Sequence, residues 1–235
     1  MAKKTLLAID YPNATEWKGL VKDFPQDAIA HKLLLASVPF VFKDEPLKFA
    51  LFKRTIADAF GVAPTDVFIV GSALAGRSLK GAHIDKEYSS ASDIDTLIIS
   101  EHLFAKNVMK SFEWVKLATA GKRDEEGKYT PPKLDEEQVL QIGRLAANAC
   151  KGIWRPDSLP HEAEAREEFF TKFGEVSLKT LGLQLSEDTV SNVNGRIARS
   201  FDDAVKDLGT SIYRLKKEFE LEEKATKERA TKANA

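Results

Sequence analysis

An α+β fold, a mixed sheet flanked by helices with a mainly helical C-terminal part, is what this sequence predicts, and three observations carry the prediction. Val67-Phe68-Ile69-Val70 is an apolar run that ends in Gly71-Ser72. Thr96-Leu97-Ile98-Ile99 is a second apolar run, entered through Ser92-Asp93-Ile94-Asp95. Short apolar runs bounded by turn residues read as buried strands. Around them apolar residues recur at helical spacing, first as Phe49, Phe52, Ile56 and Phe60, and near the C-terminus as Val205, Leu208, Ile212, Leu215 and Phe219. Helices with one apolar face and strands in the same chain pack as layers.

Taken in order, residues 1–40 form a leading segment with a helix near Gln26 to Ala36, bracketed by Pro25 and Pro39. Asp44 is expected to cap the next helix, with Pro46 in its first turn and Gly61 at its end. This helix opens a core over residues 41–130. The Val67 strand follows, then one helical turn over Ser72 to Ala75, closed by Gly76. Lys80 to Ala91 is polar, contains His83, Asp85, Lys86 and Tyr88, and reads as a mobile loop over the region between the two strands. After the second strand a helix runs to about Thr119, and Gly121 to Pro132 reads as an exposed loop broken by Gly127 and Pro131-Pro132.

Residues 131–220 are expected to be mainly helical and to complete the fold, beginning with a helix from Asp135 to Ala149. The turn Gly152 to Asp157 sets Trp154 beside Arg155. It reads either as a base-stacking, phosphate-contacting loop or, more commonly for such a pair, as a core Trp with a surface Arg. A helix beginning near Asn194 would put Arg196 and Arg199 on one face, able to grip a triphosphate, with a solvated pair as the ordinary alternative. The amphipathic helix from Asp202 to about Lys224 needs a partner for its apolar stripe, either the domain itself or another subunit. Residues 221–235 mix Lys, Glu and Ala and read as a fraying helix or flexible tail.

Composition bounds the function classes. With 235 residues, 43% of them hydrophobic, the chain can bury a sizeable core. Its 35 basic and 36 acidic side chains give a net charge of −1, so no global field recruits nucleic acid or an acidic membrane. Cys150 is the only cysteine, which excludes an internal disulfide framework and suits a reducing, cytoplasmic setting. The apolar run Thr5 to Ile9 is too short for a signal peptide or a membrane span.

The chemistry concentrates between the two strands. A strand alternates faces, so Asp93 and Asp95 point the same way while Ile94 turns aside. Two like charges side by side call for a cation between them, and a divalent metal is the natural one. Gly71 lacks a Cβ and lets a phosphate approach the backbone, Ser72 adds a hydroxyl, and the turn behind them directs N–H groups at an anion.

Gly71-Ser72 followed by Ser92-Asp93-Ile94-Asp95 resembles the signature of the nucleotidyltransferase superfamily related to DNA polymerase beta, over roughly Val67 to Ser100. The resemblance implies a nucleotidyltransferase-like sheet, a Gly71-Ser72 turn with Ser92 holding the triphosphate of an NTP such as ATP, and Asp93 and Asp95 as catalytic ligands of Mg²⁺ or Mn²⁺. It also implies a third carboxylate from a later strand. Glu175, ahead of Val176-Ser177-Leu178, is the best match by pattern, with Asp188 and Asp157 behind it. The expected activity is transfer of a nucleoside monophosphate from an NTP to a protein side chain, a small molecule or an RNA end. The resemblance suggests a bacterial toxin–antitoxin or phage-defence setting. The alternative is a catalytically weak or inactive nucleotide-binding regulatory protein whose C-terminal helix engages a protein partner or a second copy.

Overall fold

A computed structural model describes residues 10–80, 83–84, 86–89, 92–123, 125–181 and 193–233. The chain builds, in order, α1 (Ala14–Asp23), α2 (Gln26–Leu35), α3 (Pro46–Phe60), β1 (Val67–Val70), the single-turn α4 (Ser72–Ala75), β2 (Ile94–Ile99) and α5 (Glu101–Ala118). A small hairpin of β3 (Lys122–Arg123) and β4 (Tyr129–Thr130) follows, then α6 (Glu136–Cys150), β5 (Ile153–Trp154), α7 (Glu164–Leu181), β6 (Val193–Ala198) and α8 (Phe201–Ala233). The main sheet has the order β1-β2-β6-β5, with β1 and β5 antiparallel to their neighbours and β6 parallel to β2. It is a mixed sheet between helices, an α+β architecture.

One face of the sheet packs on α3, α5 and α7. Phe60, Phe169 and Phe173 meet there with ring centroids about 5 Å apart, and Trp154 joins them, fully buried, its indole N–H donating to Ser111 Oγ at 2.8 Å. Of the two readings of Trp154, the core residue is therefore the observed one. The other face packs on α8, whose Phe201 lies against Phe68 of β1, with α1 and α2 alongside it. The stripe Val205, Leu208, Ile212, Leu215 and Phe219 is buried within the chain's own core. Among the described residues no helix is long and apolar enough to cross a membrane.

Several sequence expectations are corrected. Helix α1 was not anticipated, although Asn13 and Glu16 form a reciprocal capping box at its start. Asp44 is not the cap of α3; Glu45 holds that position, its side chain paired with Lys48 and making no capping bond to the helix backbone, and Pro46 starts the helix. Residues 121–132 carry the β3–β4 hairpin. Of the two readings of the C-terminal residues the helix is the one observed: α8 continues to Ala233, with exposed side chains over residues 221–229. Val176-Ser177-Leu178 lies inside α7, because Phe169, Phe173 and Val176 recur at helical spacing and are buried together.

The largest correction concerns Asn194 to Ala198, which form a strand and not the start of a helix. Arg196 and Arg199, read as helical neighbours, therefore do not share a face. Gly195 explains the outcome: a Cβ there would stand 2.5 Å from both Phe173 and Thr96 Oγ1, so only glycine lets β6 slot between β2 and α7. Met1 to Ile9, Asp85 and Asp188 lie outside the described residues.

Candidate functional site

Strand β1 delivers Gly71 and Ser72 beside the carboxylates because it pairs antiparallel with β2, setting Val70 opposite Asp95. Gly71 adopts φ 69° and ψ −148°, a conformation that side chains resist. A Cβ built on it would stand 2.8 Å from Asp95 Oδ2. The glycine thus serves both the turn and the close approach of a carboxylate to the backbone. Gly71→Ala is expected to cost about 2 kcal/mol in a urea melt, the scale of one strained backbone conformation; a change below about 0.5 kcal/mol would show that the turn relaxes freely.

Asp93 is exposed and Asp95 half-buried, on the same side of the chain where it enters β2. Neither makes a hydrogen bond or an ion pair among the described residues. Burial raises the Asp95 pKa above its ordinary value, the Arg196 guanidinium draws it down, and Asp93 pushes it up again. A half-buried carboxylate with no hydrogen bond or ion pair carries a cost that an arriving cation relieves. The two aspartates border a cleft of about 410 Å³ that also takes in Ser72, Ser92, Lys80, His83 and Lys86. Lys80 is near enough to lower the Asp95 pKa. Ser92 Oγ accepts from the Ser89 N–H at 3.2 Å, which closes the turn just ahead of Asp93.

No family model, curated protein or solved structure matches the chain. What the site can do is therefore judged on its geometry. Gly71, Ser72, Ser92, Asp93 and Asp95, named from the sequence, are brought together. Glu175 is not part of that group: it is an exposed residue inside α7, not one at the mouth of a strand. Asp157 is exposed too, but borders a second pocket of about 250 Å³ that Asp95 also reaches. Among the described residues no group of three His, Cys, Asp or Glu side chains is arranged to hold a metal.

The strand beside the aspartates explains that absence of a third carboxylate. Asp95 pairs with Asn194 and Leu97 with Arg196, so the positions of β6 facing the same way as Asp95 hold an amide and a guanidinium. Arg196 reaches Asp207 of α8, Nε to Oδ2 at 3.0 Å, and the same carboxylate holds Arg155 at 3.2 Å. Arg199 is engaged elsewhere, in a two-pronged pair with Asp203 at 3.0 and 3.2 Å. Asp207 is thus a residue of the site's surroundings that sequence reasoning did not assign, whereas Lys80 belongs to the loop expected over the site and Arg155 to the turn read as phosphate-contacting or as a surface Arg. Nothing in a helical stripe distinguishes Asp207.

Two carboxylates without partners among the described residues fit Mg²⁺ or Mn²⁺, since Mg²⁺ is commonly held by one or two carboxylates with substrate phosphates and water supplying the rest. They would not fit a metal that demands a full protein cage.

Proposed function

We propose that this chain is a metal-dependent nucleotidyltransferase that moves a nucleoside monophosphate from an NTP to an acceptor hydroxyl or amine. The observation that carries the proposal is Asp95, half-buried, unpartnered among the described residues, and closed upon by a glycine whose own Cβ would collide with it. Asp93 and Asp95 would hold the metal, which when bound would stabilise charge on the triphosphate oxygens. Gly71 leaves backbone room for those phosphates and Ser72 offers a hydroxyl. Lys80 and Lys86, at the rim of the same cleft, supply positive charge for the leaving pyrophosphate. The reaction is an in-line displacement: the acceptor atom bonds to the α-phosphorus, the bond to the bridging oxygen breaks, pyrophosphate leaves, and the acceptor proton passes to water.

Arg196 and Asn194 favour a second reading, a protein that binds a nucleotide without transferring it, because the strand next to Asp95 offers no further carboxylate. The two separate in one experiment. Purified protein is incubated with each α-³²P-labelled NTP, Mg²⁺ or Mn²⁺ and a cell extract as acceptor pool. Label incorporated by the wild type and absent from Asp93→Ala/Asp95→Ala supports the transferase. Calorimetric NTP binding without incorporation under either metal supports the binding protein, and the absence of both rejects the two readings together.

A further inference from the structure

We propose that a second cleft, separate from the aspartate pair, binds phosphate groups of a nucleotide or of a nucleic-acid strand. The cleft holds about 520 Å³ between the end of α6 and the first turns of α8, and five cations border it: Lys151, Arg155, Arg199, Lys206 and Arg214. Its two carboxylates are already engaged, Asp203 by Arg199 and Asp207 by Arg155 and Arg196. Lys151, Lys206 and Arg214 make no ion pair among the described residues. Lys206, Thr210 and Arg214 follow one another every four residues, so they stand in a row along one face of α8 while its apolar stripe faces the core. The arrangement is local, which is why a chain of net charge −1 can carry it.

Position adds to charge. Arg155 borders both this cleft and the 250 Å³ pocket, and Asp95 borders both that pocket and the aspartate cleft, so the three depressions adjoin one another. A phosphate-bearing acceptor lying along α8 would have its end directed toward Asp95. That assignment as acceptor rests on the transferase reading; the binding of phosphate does not.

Cys150 makes the test direct, because it is the only cysteine, is exposed, and borders the cleft. Its alkylation by iodoacetamide is followed alone, with inorganic triphosphate, and with a short single-stranded RNA. A phosphate ligand in the cleft slows alkylation severalfold. Three cations outside the close ion pairs predict that the logarithm of affinity for RNA falls with the logarithm of salt at a slope of about −2. Protection by RNA alone identifies a strand, and protection by triphosphate as well identifies a free polyphosphate. Lys206→Glu/Arg214→Glu is expected to abolish protection, and Lys206→Gln/Arg214→Gln, which adds no repulsion, to weaken it strongly. No protection by either probe, or equal protection in both variants, overturns the proposal. The same assay on Asp93→Ala/Asp95→Ala separates the two readings: protection retained there without any transfer by the wild type leaves the cleft standing and the transferase fallen.

Discussion

Asp95→Asn is expected to abolish nucleotide transfer and, at neutral pH without metal, to raise the stability of the protein. The loss follows from removing a metal ligand: about 4 kcal/mol of charge stabilisation corresponds to about 10³ in rate. The gain follows from the absence of any partner for this carboxylate among the described residues, together with its burial. Relieving a functional-site charge of this kind commonly gives about 1 kcal/mol. A structural aspartate, tied into hydrogen bonds, would lose stability on the same change. Thermal unfolding of the two proteins in EDTA therefore discriminates, and a lower melting temperature for Asp95→Asn would mean that Asp95 has a partner in the fold and no need of a metal.

The pH dependence of that gap has a fixed sign. Burial raises the native pKa of Asp95 above its ordinary value of 3.8, so the folded state binds the proton more tightly than the unfolded state does. Its contribution to stability is full below the unfolded value and is lost as pH rises through the native one. The advantage of Asp95→Asn should accordingly shrink as pH falls from neutrality through the raised native value of Asp95 toward its ordinary one. Mg²⁺ with a bound NTP should favour the wild type alone, and a ligand at about 100 times its Kd adds about 2.7 kcal/mol. A variant that gains without ligand and gains nothing from ligand would mark Asp95 as a group kept for binding.

What the sequence disclosed and what it hid divide along the range of the interactions. The β1 strand, Gly71, α4 and the Asp93-Ile94-Asp95 entry to β2 are local patterns, and all lie where they were expected. So do α2 and most of α3, whose ends are written in Pro25, Pro46 and Gly61. The segment from Asn194 to Ala198 could not be read that way. Its arginine spacing suits a helix, and it is a strand because a slot exists between β2 and β5 that only Gly195 can enter against Phe173. The helical reading paired Arg196 with Arg199, whereas the strand sets Arg196 beside Leu97 on the Asp95 side of the sheet, and Glu175, expected as the third carboxylate, belongs to α7. One error of period thus gave Arg196 the wrong neighbour and left Asn194 without a place.

Asp207→Ala is expected to cost both stability and metal affinity, although Asp207 lies outside the aspartate cleft. Asp207 bridges Arg155 and Arg196, and the side chains of Arg196 and Asp207 are only 17% and 16% exposed. The Arg196 Nε–H has the ion pair but no well-aligned hydrogen bond, so its charge is held chiefly by proximity. Burial disfavours that charge and Asp207 offsets the cost. Removing the carboxylate leaves a guanidinium stranded, a loss of about 3 kcal/mol at the lower end of the range for broken buried pairs, since both partners retain some solvent. Replacing the arginine as well, in Arg196→Met/Asp207→Ala, should restore most of it, and the double-mutant cycle reads the coupling directly. The consequence reaches the candidate site because Arg196 lies on the same side of the sheet as Asp95 and already lowers its pKa. Freed from Asp207, the guanidinium is expected to turn to Asp95 and compete with the metal. Mg²⁺ affinity, followed by calorimetry with an NTP present, should fall in Asp207→Ala and recover in the double variant. Unchanged affinity in the single variant would show that Asp207 serves the fold alone; a fall that persists without Arg196 would show that α8 positions the aspartates by packing and not by charge.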